Sequence, residues 1–168
     1  AVGYRDGLEA SMSHVRTAIV EHVLHLRFDR PEKKNALTRA MYGAVCDAME
    51  DAAQRGAVRA VLFSGEGSAF TAGNDLQDFM NPAGLDQVLR FLNILTAYPK
   101  PVVAAVHGVA IGIGTTMLLH CDLAYCAPDT TFKLPFVDLG LVPEAGSSLL
   151  LPQLVGQRRA AEHLLLAE

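Results

Sequence analysis

Very little in this chain suits a membrane, a nucleic acid or a disulfide framework. No stretch approaches the roughly 18 uninterrupted apolar residues of a membrane-spanning helix, so no segment reads as a span. Residues 1–14 (AVGYRDGLEASMSH) lack the apolar run of a secretory signal and read as an N-terminal extension ahead of one domain at 15–168. Cysteine is scarce: Cys46, Cys121 and Cys126 make an odd set without a C-x-x-C pair. That usage fits buried thiols in a reducing compartment and offers no zinc site. His120 beside Cys121 reads as a core or surface pair, because no second pair exists, and no metal is expected. Basic charge is not in excess, with 14 Lys and Arg against 18 Asp and Glu and a net charge of −4. Arg158-Arg159 is too small a cluster for a polyanion stripe, so nucleic acid is excluded as a partner. Arg30, Lys33 and Lys34 form the one local basic patch, read either as a solvated loop or as a contact for a small anion.

What the chain does have is apolar residues, 51% of 168, enough to bury the core of a single domain. Val15–Val20 and Val23–Phe28 read as strands around a turn at Glu21-His22. Thr38 reads as the N-cap of a helix to about Gln54, with Met41, Val45, Met49 and Ala52 inward and Gly56 as its stop. A strand at Val58–Phe63, a helix at Leu85–Ala97 and a strand at Val102–Val106 follow. Next come a helix from Ile111 to about Leu119, a strand at Leu123–Cys126, a short strand near Phe132 and helices from about Ser147 and Arg158. Continuous apolar strands alternating with helices predict an α/β sheet with helices outside.

Chemistry is concentrated in two glycine-bounded loops and one glutamate. SGEGSAFTAGNDL (64–76) follows the third strand, and HGVAIGIG (107–114) follows Val102–Val106. A strand that ends in a glycine turn and restarts as a helix leaves backbone N–H groups unpaired at the positive end of the helix dipole. Two such loops can present two amides to one oxygen. Glu144 lies among Leu139, Leu141, Val142 and Pro143, and apolar neighbours raise a carboxyl toward the range of a useful base. Read alone, it is better explained as a first-turn glutamate favoured by the dipole of the helix at Ser147. Asp75 reads as a cap for amides of its own loop, Asp138 as a weaker second carboxylate, His107 as a loop brace and Lys100 as a surface residue.

Together, FTAGNDL, AAVHGVAIGIG, DRPEKKNAL (29–37) and CDLAYCAPDTTFKLPFVDLGLVPEAG (121–146) resemble the crotonase superfamily of enoyl-CoA hydratases and isomerases. The resemblance covers about Val15 to Glu168 and implies a spiral of ββα units with two sheets. It also implies that family members continue past this chain's end into helices that cover the active site and build a homotrimer or hexamer. A crotonase-like core lacking that C-terminal helical segment is therefore the expected fold.

By the same resemblance, the amides of Ala72 and Ile113 form the oxyanion hole. The CoA thioester is expected to run along Arg30, Lys33, Lys34, Ala36, Leu37, Ala72, Gly73, Asn74, Asp75, Gly112 and Phe136. Hydratases of the family carry two glutamates where this chain has Thr116 and Phe136, which argues against hydration. Ile113 and Glu144 match the branch similar to peroxisomal-type Δ3,Δ2-enoyl-CoA isomerases, where a single carboxylate serves. The implied reaction shifts a double bond from 3-enoyl-CoA to 2-enoyl-CoA, with Glu144 as base and no cofactor besides the CoA of the substrate. The alternatives are another enolate-forming acyl-CoA isomerase of aromatic degradation and a non-catalytic CoA-binding module. A cytoplasmic location is expected, with peroxisomal and mitochondrial ones left open.

Overall fold

The structure, a computed structural model, describes residues 13–79 and 85–167. The extension assigned to residues 1–14 therefore lies almost wholly outside the described residues. Strands β1 (Val15–Val20) and β2 (Val23–Phe28) form an antiparallel hairpin, and β3 (Ala60–Gly65), β4 (Val102–Val106) and β6 (Leu123–Cys126) extend it in parallel. The sheet order is β1-β2-β3-β4-β6, and β5 (Val109–Ile111) pairs with β7 (Thr131–Lys133) in a second, two-stranded sheet. Helices α1 (Arg39–Gln54), α2 (Leu76–Phe79), α3 (Leu85–Thr96), α4 (Ile113–Thr116), α5 (Ser147–Val155) and α6 (Gln157–Leu166) complete the chain.

Alternation decides which face of the large sheet is dry. Leu24, Leu26 and Phe28 of β2 and Val61 and Phe63 of β3 point the same way and are buried against Met41, Val45 and Met49 of α1. Phe28, Phe63, Phe70 and Phe91 interlock edge-on or tilted, with centroids 5.6–6.3 Å apart. Thr38 caps α1 as expected, its hydroxyl accepting the Met41 N–H. Lys100 corrects its surface reading: its ammonium donates to the carbonyls of Ala52 and Arg55, where α1 ends and the helix dipole is negative. The third strand sits two residues later than expected, because Val58 closes a turn onto Arg55 and pairing with β2 begins at Ala60.

The helix expected from Ile111 to Leu119 is broken up. Val109–Ile111 is drawn into β5 by pairing with β7 and by a bridge from Ala110 to Thr71, and only Ile113–Thr116 is α-helical. Met117–His120 tightens into a 3-10 turn. Tertiary pairing thus overrides an apolar pattern that locally reads as helix.

Candidate active site

The first loop is held by the segment before α1. Lys34 and Asn35 both adopt left-handed backbone conformations, with φ of 49° and 57°. That bend buries Asn35 completely. Its amide donates to the carbonyls of Glu66 and Ala69, and its side-chain oxygen accepts the Arg30 N–H. The Thr71 hydroxyl donates to the Asn35 carbonyl at 2.7 Å and accepts the Gly73 N–H at 3.1 Å. Every polar atom of this knot has a partner, as burial requires. Asn35 had no role in the sequence reading; its only signal was its place in the KKNAL stretch.

This register decides which amide of the loop is open, and it corrects the assignment of Ala72. The Ala72 N–H already donates to the Lys34 carbonyl at 2.9 Å. The Asp75 N–H goes to Leu37 O, and Leu37 N–H to Gly73 O, so Leu37 and Asn74 form a parallel bridge. In such a bridge the N–H of the bridged residue faces away from its partner strand. Asn74 is so placed, and its N–H has no acceptor among the described residues. The open amide is that of Asn74, two residues beyond Ala72.

The second loop lies directly on the first. Phe70 N–H donates to His107 O, Thr71 N–H to Val109 O and Ile111 N–H to Thr71 O. The contact is too close for side chains: a Cβ on Gly73, at φ 90°, would sit 2.7 Å from the Ile111 carbonyl oxygen. Gly112 N-caps α4 and its N–H donates to Lys133 O, whereas the Ile113 N–H at the first helical position has no acceptor among the described residues. Asn74 and Ile113 line the same cleft of about 570 Å3.

Glu144 lines that cleft too, together with the apolar Leu76, Leu85, Phe136, Leu139, Leu141 and Val142. Burial raises its carboxyl above the ordinary value, and the Thr116 hydroxyl, 3.4 Å from Oε1, draws it partly back. The turn after it is unusual, with Ala145 and Gly146 both at positive φ. Three bonds fix that turn. The Ser147 hydroxyl and N–H donate to Glu144 O, and Nε2 of His120 bonds to Ala145 O at 2.8 Å. His120 is thus the latch of the glutamate loop, a role its sequence position did not signal. Among the described residues no group of three His, Cys, Asp or Glu could hold a metal.

The remaining candidates divide by exposure. Lys33 and Lys34 are exposed beside the first loop, and Ala36 and Leu37 pack behind it. Arg30 is turned inward: its guanidinium donates to Asp75 Oδ2 at 2.7 Å and to Ala36 O at 3.0 Å, so it braces the loop. This Arg30 bond and the N–H groups of Asp78 and Gln77 hold the Asp75 carboxyl below its usual range, as a capping carboxylate should be. Asp138 lines the cleft and pairs with Lys133 at 3.2 Å. His107 braces its loop through Gly67 O. Tyr42, one turn into α1, was not singled out; its phenol, kept protonated by burial and by the Glu144 charge, donates to Asn74 Oδ1.

A family model described as enoyl-CoA hydratase/isomerase matches residues 18–168. The mouse mitochondrial Delta(3,5)-Delta(2,4)-dienoyl-CoA isomerase is 35% identical over 165 residues, covering 88% of this chain and 50% of its own length. Rat enoyl-CoA delta isomerase 2 is 39% identical over 172 residues, covering 97% of this chain and 44% of its own. The structure of Pseudomonas aeruginosa OdaA superposes with a TM-score of 0.88 at 49% identity, over 92% of this chain and 64% of that one. The chain spans about half the length of the curated relatives it matches. Among the described residues, no helix is long and apolar enough to cross a membrane. With these matches and a cleft assembled from both glycine loops and the LVPEAG segment, the chain belongs to the enoyl-CoA hydratase/isomerase family, the crotonase superfamily.

Proposed function

We propose that this chain is the core of an acyl-CoA isomerase converting 3-enoyl-CoA to 2-enoyl-CoA. The observation that carries the reading is the make-up of the cleft: a half-buried Glu144 shares it with Asn74 and Ile113, whose amides are open, and Thr116 and Phe136 stand where the family's hydratases carry carboxylates. The thioester oxygen accepts both amide N–H groups, which makes the C2 proton acidic. Glu144 takes that proton, and the electron pair delocalises through the C3–C4 double bond as a dienolate. Glu144 then returns the proton at C4, leaving the double bond between C2 and C3. One base suffices where C2 and C4 present the same face, and the CoA arrives with the substrate. Two preorganised donors act on the developing oxyanion, and losing one costs roughly 2.7–4 kcal/mol in such sites.

The test is a pair of assays on the chain and on a longer form carrying the remaining family length. Conversion of 3-enoyl-CoA to 2-enoyl-CoA is expected; hydration of crotonyl-CoA at a comparable rate would overturn the reading, since no second carboxylate is assigned to orient water. The CoA arm rests on Lys33 and Lys34, exposed beside the Asn74 loop. Reversing both charges should weaken CoA binding by about threefold to tenfold at low salt, the scale of exposed ion pairs. The loss should shrink at high salt as screening takes over. Calorimetry showing equal affinity for parent and variant at low salt would make the two lysines ordinary surface groups.

A further inference from the structure

Thr116 stands where a hydratase of the family would carry a carboxylate, which in sequence alone is only a loss of chemistry. Its surroundings give it a role of its own. The residue is completely buried, and among the described residues its hydroxyl has one partner, Oε1 of Glu144. No buried side-chain polar atom is left unpaired among the described residues, and a buried hydroxyl without a partner would be costly. The neighbouring Thr115 shows the alternative, since its hydroxyl turns back to the carbonyl of Ala110. Thr116 does not turn back; it reaches across to another segment 28 residues away.

Placement on α4 gives this contact a consequence. Ile113 and Thr116 are three residues apart on one helical turn, so they share a face. That turn is fixed at its start by Gly112 O, which accepts the N–H groups of Thr115 and Thr116 at 2.9 and 3.0 Å. The same rigid turn therefore offers an open amide at one end and a hydroxyl donor to Glu144 at the other.

We infer that Thr116 is the positioning residue of the general base: its hydroxyl holds Oε1 of Glu144, sets the carboxylate at a fixed distance from the Ile113 amide and leaves Oε2 to take the proton. The inference rests on reading Glu144 as the base of the proposed isomerase. At 3.4 Å the bond is long, as catalytic hydrogen bonds often are before substrate closes around them. The other ionisable groups facing this pair are Tyr42 on α1, Asp138 with its partner Lys133 on the cleft rim, and His120 beneath the Ala145 turn.

The experiment compares Thr116→Val, Thr116→Ser and the parent in two readouts. The first is the pH profile of kcat for 3-enoyl-CoA isomerisation. The second is the carboxyl titration of Glu144 followed by carbon NMR, assigned with Glu144→Gln and independent of turnover. The hydroxyl favours the ionised carboxylate, so its loss should move the Glu144 midpoint upward and shift the acid limb of kcat with it. At neutral pH kcat should fall about tenfold, the scale of one hydrogen bond to a charged group, with KM little changed. Serine should restore both midpoint and rate toward the parent. Unchanged titration in the valine variant, or equal impairment by serine and valine, would overturn the inference and leave Thr116 as packing. Should valine prevent folding, Thr116→Ala gives the same comparison against serine. A parent that titrates as described but isomerises nothing would sink the proposed function and leave the Thr116–Glu144 link standing.

Discussion

Replacing Glu144 with glutamine should abolish isomerisation while leaving ligand binding intact. Glutamine keeps the shape and the Thr116 contact but accepts no proton, and general-base groups contribute about 10²–10⁴-fold. The loss belongs in kcat, measured by conversion of 3-enoyl-CoA, with CoA-ester affinity measured separately. A variant as active as the parent would move the base to Asp138, the other carboxylate of the cleft. Stability should move the other way. The folded carboxyl titrates above its ordinary value because it is buried, so the native state binds its proton more tightly than the unfolded chain. Stability is then lost as pH rises from the ordinary carboxylate range through the raised midpoint. Glutamine removes that loss, so the variant should melt higher than the parent at pH 7 and show little such advantage at pH 4.

Gly114→Ala should cost nearly as much activity with no change in any ionisable group. A Cβ at Gly114 would lie 2.5 Å from the Thr71 methyl and 3.1 Å from its carbonyl oxygen. Thr71 cannot rotate aside without giving up its hydroxyl bonds to Asn35 O and Gly73 N. The two glycine loops must therefore separate, which would spoil the proposed two-amide site of Asn74 and Ile113. Misplacing one oxyanion donor costs roughly 2.7–4 kcal/mol, or about 10²–10³ in kcat. Circular dichroism should still report a folded protein. Full activity in the alanine variant would mean that the loops have slack, which would count against a rigid two-amide site.

What could be read in advance was whatever a local pattern encodes. The hairpin of β1 and β2, α1 with its Thr38 cap, and the apolar strand β4 follow from local pattern and capping alone. The proximity of KKNAL to FTAGND is implied by the family resemblance and by no local pattern. Long-range hydrogen bonds escaped. Ala72 and Asn74 are equivalent in the sequence, and only pairing with Lys34 and Leu37 occupies one amide and opens the other. Lys100 looked like a surface cation because the carbonyls it caps lie on a helix 45 residues or more earlier. His120 and Thr116 had no visible target, since the Glu144 turn reaches them only after the chain has passed through β6 and β7.

The isolated bridge between Leu37 and Asn74 has a bearing on how such a protein can drift over generations. Its donor is aimed by the register of main-chain atoms, so the genetic code has little hold on it. Codons at 74 and 113 can change to any residue but proline without removing either amide, whereas a single-residue insertion between Lys34 and Leu37 would shift the register that leaves the Asn74 N–H open. Heritable variation in this part of the cleft therefore resides in loop length and glycine placement, and divergence of chemistry within such a scaffold falls to the few side chains that reach the cleft from elsewhere.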